Sequence, residues 1–300
     1  EYLSIRCGMQ EIFSYPWMEE SYVNAILQST DGILALSTPP SPSERFIRSS
    51  LLPNLCKAVA KNERYYGDFA IFETAQVFHD TDYTTPYDPR EKLPSQRKNV
   101  AGAFVSAGKD VAALFRKAKG VVEMMPRYTH MERYDFRQVE KPVWADEVVW
   151  LNIYLGEERI GDLALLSKRV SMACGIKNVN VMLFQLDQDA LVPLRSRTNT
   201  FTHLAEYPMT DYDISLLLDG EVKWADVAET IEGVKNPLLH GASFVDEYRG
   251  KQVPAGKKSL TARLTIGSTE KTLTSAEIEE VANSVLKKLS KRFGAELRSR

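Results

Sequence analysis

The chain has 300 residues, more than one domain usually holds, so two domains are expected. With 44% hydrophobic and 26% charged residues it reads as globular, which excludes disorder as the default, and no run of about 18 apolar residues offers a membrane-spanning helix. Cys7, Cys56 and Cys174 are too few and too far apart for a disulfide framework or a zinc site, and a formal net charge of −2 neither favours nor excludes a nucleic-acid partner.

The chain begins at Glu1, without a methionine or a charged-then-apolar leader, and reads as a piece of a longer protein. Residues 37–46 carry three prolines in ten positions and must be a loop. Leu52, Leu55, Cys56 and Val59 then recur at helical spacing, with Ser50 as the expected N-cap and Pro53 in the first turn. Residues 69–78 are aromatic and β-branched, hence a strand, and residues 79–96 form a long connection. Further strands are expected at 148–155 and 179–186. Residues 1–200 thus predict a mixed α and β domain around an antiparallel sheet. The polar, weakly periodic residues 194–208 are the expected linker.

The last hundred residues, 207–300, are clearer. Tyr212, Ile214, Leu216 and Leu218 alternate as a strand, and Trp224, Val227 and Ile231 make a helix that Gly233 can end. Residues 239–248 and 259–266 are two more strands. Thr274 and Glu277 form a capping box ahead of an apolar stripe through Ile278, Val281, Ala282, Val285, Leu286 and Leu289. Gly294 stops that helix, and residues 295–299 are a short final strand. The order βαββαβ is the ferredoxin-like split arrangement, in which both helices cover one sheet face and leave the other open. Leu260, Ala262, Leu264 and Ile266 then lie under the helices, while Ser259, Thr261, Arg263 and Thr265 look outward.

Charge is uneven here. Residues 249–271 hold six bases (among them Lys257, Lys258 and Arg263) against Glu270 alone, and residues 287–300 hold six against Glu296 alone. Acids dominate 211–232. A basic open face carrying Tyr248 would suit single-stranded RNA, with phosphates giving affinity and the ring stacking a base. The alternative for Lys287, Lys288, Lys291 and Arg292 is capping of a helix C-terminus.

Four stretches, GMQEIFSY (8–15), RSSLLPNLCKAVAKNERYYGDFAIFETAQVF (48–78), FVDEYRG (244–250) and GKKSLTARL with TLTSAEIEEV (from 256), together resemble the C-terminal part of the bacterial phenylalanyl-tRNA synthetase β subunit. The resemblance implies a class II synthetase-like antiparallel-sheet domain that does not catalyse, followed by a ferredoxin-like anticodon-binding domain. It implies a catalytic α subunit and tRNA(Phe) as partners and a cytoplasmic setting. No cofactor is expected in this segment, with ATP and Mg bound elsewhere in the complex. His79 stands where the family's class II second motif would need an arginine, and Arg159, Lys168 and Arg169 read as ordinary surface charges.

By motif, the resemblance assigns RNA contacts to Asp246, Tyr248, Ser259, Arg298 and Ser215; Arg263, Lys257 and Lys258 join them from the basic runs. Strict alternation would place Phe244 on the same face as Asp246 and Tyr248, so either a β-bulge intervenes or Phe244 is a second stacking ring. Asp211 and Tyr212 depart from the arginine usual in the family before the first-strand aspartate. Two other readings stand beside this one: a free-standing RNA-binding or regulatory paralogue, and a protein-interaction scaffold.

Overall fold

In the computed structural model, which describes residues 1–79, 94–191 and 206–298, contacts divide the chain into Glu1–Asn199 and Thr200–Arg300. Most of the expected loop 79–96 and most of the expected linker 194–208 lie outside the described residues.

The first unit opens with a π-helical turn, Tyr2–Arg6, followed by β1 (Gln10–Glu11), β2 (Trp17–Met18), α1 (Glu20–Ile26) and β3 (Phe46–Ile47). Next come α2 (Leu52–Asn62), β4 (Asp68–His79), β5 (Ser95–Ser106) and α3 (Val111–Thr129). The unit closes with β6 (Asp135–Arg137), β7 (Ala145–Leu155), β8 (Glu158–Leu166), α4 (Lys168–Ala173) and β9 (Asn180–Asp187). Seven strands form one sheet in the order β1-β4-β5-β9-β8-β7-β6, antiparallel except where β1 joins β4, and β2 pairs with β3 apart from it.

Both faces of this sheet are covered. Leu52, Leu55, Cys56 and Val59 of α2 share a core with Ala101, Ala103 and Leu183. On the other side Leu114, Ala118 and Val122 of α3 lie with Phe104, Met182 and Phe184. A Cβ on Gly102 would come within 2.4 Å of the Phe184 ring, so the strand needs glycine there. The start of α2 differs from expectation. Leu51 is the N-cap, and Ser50 Oγ accepts from Leu52 N at 3.2 Å while donating to Gln185 Oε1 at 2.9 Å. Ser50 is thereby held by the sheet as well as by the helix.

A buried ion pair fastens the segment before α2 to β4. Arg48 Nη1 lies 3.2 Å from Glu73 Oε1, with side-chain exposures of 10% and 2%. Glu73 also accepts from Ser14 N at 2.9 Å and Ser14 Oγ at 2.8 Å, while Arg48 Nε donates to Gln76 O at 2.6 Å. Asn54 Nδ2 bonds Ser14 Oγ at 3.0 Å and Tyr15 O at 2.9 Å. One buried network therefore ties residues 14–15, 48, 54 and 73 together.

The second unit runs β10 (Thr210–Asp219), α5 (Trp224–Glu232), β11 (Leu239–Tyr248), β12 (Lys257–Ile266), α6 (Ser275–Phe293) and β13 (Glu296–Leu297). Its antiparallel sheet has the order β11-β12-β10-β13. Ile214, Leu216, Leu218, Leu260, Ala262, Leu264 and Ile266 form one core with Val227 and Ile231 of α5 and Val281, Val285 and Leu289 of α6. Both helices thus cover the same sheet face. The capping box is present: Thr274 Oγ1 accepts from Glu277 N, and Glu277 Oε2 accepts from Thr274 N at 2.8 Å. The bond from Lys271, with those from Thr274 behind it, pushes the Glu277 pKa down to about 2. Gly294 ends α6 in the left-handed region at φ 62°, which costs glycine no Cβ clash.

Candidate nucleic-acid interface

Register decides which side chains reach the uncovered face of the four-stranded sheet. In β12 it is Lys257, Ser259, Thr261, Arg263 and Thr265, since Leu260, Ala262, Leu264 and Ile266 are fully buried under the helices. Opposite them on β10 stand Asp219, Leu217, Ser215, Asp213 and Asp211. Strand β11 carries an irregularity between Phe244, which pairs with Ala262, and Asp246, which pairs with Thr261. Val245 is the extra residue of a β-bulge. Phe244 therefore keeps to the helix side, its ring 5.7 Å from that of Trp224, and is not a second stacking ring. Past the bulge, Asp246 and Tyr248 turn to the open face, opposite Thr261 and Ser259.

Five of the expected contact residues meet at one end of this face. Ser215 Oγ lies 3.0 Å from Thr261 Oγ1, in the row that Asp246 completes. Tyr248 faces Ser259 in the next row, where Ser259 points to the open side but is itself only 4% exposed. Arg298 reaches in from beyond β13: its backbone N–H bonds Ser215 O at 2.9 Å, and its guanidinium carbon sits 5.4 Å from the Tyr248 ring centroid. Gln252 Oε1 accepts from Arg298 Nη2 at 3.0 Å. A Cβ on Gly250 would fall 2.1 Å from Tyr248 Oη, so the turn after β11 must be glycine to let the phenol lie there. An exposed ring, a carboxylate, two hydroxyls and a guanidinium can between them stack one base and bond its edge. Thr261 and Gln252 were not among the expected contacts. Thr261 was legible as an outward hydroxyl; nothing in the local pattern marks Gln252.

The charge reading needs correction. Lys258 lies on the helix side of β12, only 4% exposed, with Nζ 2.8 Å from Glu247 Oε2. It is excluded from the open face because it neighbours Lys257 in sequence and so points the other way. Arg263 is outward but bound: Nε to Asp213 Oδ1 at 2.7 Å and Nη2 to Oδ2 at 2.9 Å. The bond from Arg263 holds Asp213 below the usual carboxylate range. From the second basic run Arg298 reaches the open face, but Lys288 and Arg292 serve α5 and its C-terminal end instead. Lys288 Nζ bonds Gly233 O, and Arg292 bonds Thr230 Oγ1 and Glu229 Oε2 at 2.9 Å each. Among the described residues the open face carries Asp211, Asp213, Asp219, Asp246 and Glu296 against Lys257, Arg263 and Arg298. It is not a basic surface.

In the first unit, His79 lines a cleft of about 360 Å³ with Asn99, Arg159, Asp162, Gln185 and Asp187. Burial, with Arg97 nearby, lowers the His79 pKa and so disfavours the charged ring. Arg159 is not a plain surface charge. Its Nη2 lies 2.8 Å and 3.0 Å from the Asp162 oxygens, and its Nη1 2.7 Å from Glu140 Oε2. A guanidinium so occupied offers no open fork to a phosphate. Lys168 and Arg169 are exposed on α4.

Residues 2–188 match the model of the phenylalanyl tRNA synthetase beta chain CLM domain, and residues 205–298 match that of the ferredoxin-fold anticodon binding domain. The chain belongs to the phenylalanyl-tRNA synthetase beta chain family. It is 29% identical over 305 residues to the phenylalanine–tRNA ligase beta subunit of Carboxydothermus hydrogenoformans and 26% identical over 306 residues to that of Oceanobacillus iheyensis. Each alignment takes in 97% of this chain but only 37% and 36% of the relative, so the chain spans little more than a third of these ligase beta subunits. The anticodon-domain match of this beta chain includes every residue of the open face described above. The CLM match includes the cleft with His79. The expected α+β architecture, a largely antiparallel sheet with helices followed by a ferredoxin-like βαββαβ unit, is the one found. No described helix is long and apolar enough to cross a membrane.

Proposed function

We propose that this chain is the C-terminal part of a phenylalanine–tRNA ligase β subunit and that its second unit binds the anticodon arm of tRNA(Phe). The convergence of Asp246, Tyr248, Ser259, Ser215 and Arg298 on one end of an uncovered sheet carries this reading. Tyr248 stacks an unpaired base. Asp246 accepts base N–H groups, and the hydroxyls of Ser215 and Thr261 fill the remaining edge positions. Arg298 stands over the ring as a cation. Lys257 lies at the rim of the same face and Arg263 two rows along.

The first unit acts without catalysing, holding the β subunit to a catalytic α subunit where ATP and Mg are bound. The engaged Arg159 supports that: its guanidinium, taken up by Asp162 and Glu140, is not the free cation that phosphate binding needs. The setting is the cytoplasm, with the rest of the translation machinery. The test is sizing chromatography of this chain mixed with the α subunit and tRNA(Phe). A ternary peak is expected. A chain that eluted with tRNA(Phe) but never with the α subunit would instead favour a free-standing RNA-binding paralogue.

A further inference from the structure

The open face is longer than one base needs. Beyond the row of Tyr248 and Ser259 comes the row of Asp246, Thr261 and Ser215, and beyond that the row of Ser243, Arg263 and Asp213. From Ser259 to Arg263 is four residues of strand, about 13 Å. A stacked nucleic-acid strand advances roughly 3.4 Å per nucleotide, and a splayed one about twice that. Two splayed steps therefore span the face from Tyr248 to Arg263, with one nucleotide between.

Arg263 is built unlike a phosphate-binding cation. Its two parallel bonds to Asp213 hold the guanidinium flat and cancel its charge, yet the two side chains remain 43% and 42% exposed. Its β11 neighbour in register is Ser243, too small to cover a planar group. An exposed, locked, neutral plane suits a base better than a phosphate, because bases stack on guanidinium planes as they do on aromatic rings.

On the reading that this face takes the anticodon loop, we propose that the Arg263–Asp213 pair is a second stacking platform, which seats the nucleotide two positions from the one on Tyr248. The nucleotide between them lies over Ser215, Thr261 and Asp246, which read its edge. The face then holds three consecutive unpaired nucleotides: ring, polar row, guanidinium plane.

The experiment uses this chain and tRNA(Phe) anticodon arms carrying 2-aminopurine at each of the three anticodon positions in turn, since that fluorophore is quenched when it stacks. The expected result is quenching at two positions with one between them. Tyr248→Ala should relieve one, and Arg263→Lys, which keeps the charge and loses the plane, should relieve the other and weaken the arm about tenfold. Asp213→Asn, which keeps the arginine but unlocks it, should relieve the same position as Arg263→Lys. Quenching that depends on Tyr248 but is unchanged at all three positions by both Arg263→Lys and Asp213→Asn would overturn the second platform and leave the proposed function intact. Failure of any arm to bind the wild-type chain would overturn both.

Discussion

Tyr248→Ala weakens binding of the tRNA(Phe) anticodon arm by about 1–3 kcal/mol, roughly 5- to 150-fold, in a fluorescence anisotropy titration. The ring is 41% exposed on the open face, so its removal opens no core cavity and the fold survives. What is lost is the stacking surface, together with the seat of Arg298, whose guanidinium rests 5.4 Å from the ring. Tyr248→Phe keeps the surface and should keep most of the affinity. The loss should also be nearly the same in low and high salt. Stacking carries no counterion release, and a face with five carboxylates against three cations releases few ions in total. A large salt slope that vanished with Tyr248 would mean that the ring acts through phosphate contacts instead.

Arg48→Met should destabilise the first unit by about 3–5 kcal/mol, the range for a buried ion pair that loses one member. Glu73 would stay in place, 2% exposed in its side chain, with only the Ser14 bonds, among the described residues, to meet its charge. Urea denaturation should show the first unit's transition move to lower denaturant while that of the ferredoxin-like unit holds. Arg48→Met combined with Glu73→Leu should recover much of the loss, because the pair is replaced as a whole and no orphaned charge remains. If the single substitution cost less than about 1 kcal/mol, Glu73 would have to be reached by water, contrary to its burial.

The ferredoxin-like unit was legible nearly residue by residue, for physical reasons. Its central strands have one covered face, so Ile214, Leu216 and Leu218 or Leu260, Ala262, Leu264 and Ile266 alternate with neighbours that, Leu217 apart, are polar. Its long helix carries both stop signals, the Thr274–Glu277 box and Gly294. The first unit's sheet is buried on both sides, and there the alternation disappears. Strand β5 reads Val-Ala-Gly-Ala-Phe-Val through its middle, neither a strand nor a helix by period. Helix α3 was missed because Gly120 and Pro126 interrupt it, although Asp110 caps it through Ala113 N.

Within the site, the residues were legible and the electrostatics were not. A count of bases along the chain treats Lys257 and Lys258 alike, yet a strand sends them to opposite faces and only one to the open side. The same count cannot see that Arg263 already has Asp213, which lies 50 residues away in sequence. Phe244 turned on a single residue, since the bulge at Val245 decides which of Phe244, Asp246 and Tyr248 share a face.

The central claim is that unpaired anticodon bases, and not tRNA phosphates at large, are what the open face of residues 210–298 recognises. The most direct measurement is the affinity of this chain for the tRNA(Phe) anticodon arm against an arm of identical stem and permuted loop, at one salt concentration. The account predicts that the native loop binds at least about tenfold more tightly, in keeping with one stacked and edge-bonded base. Equal affinities for the two arms would contradict it.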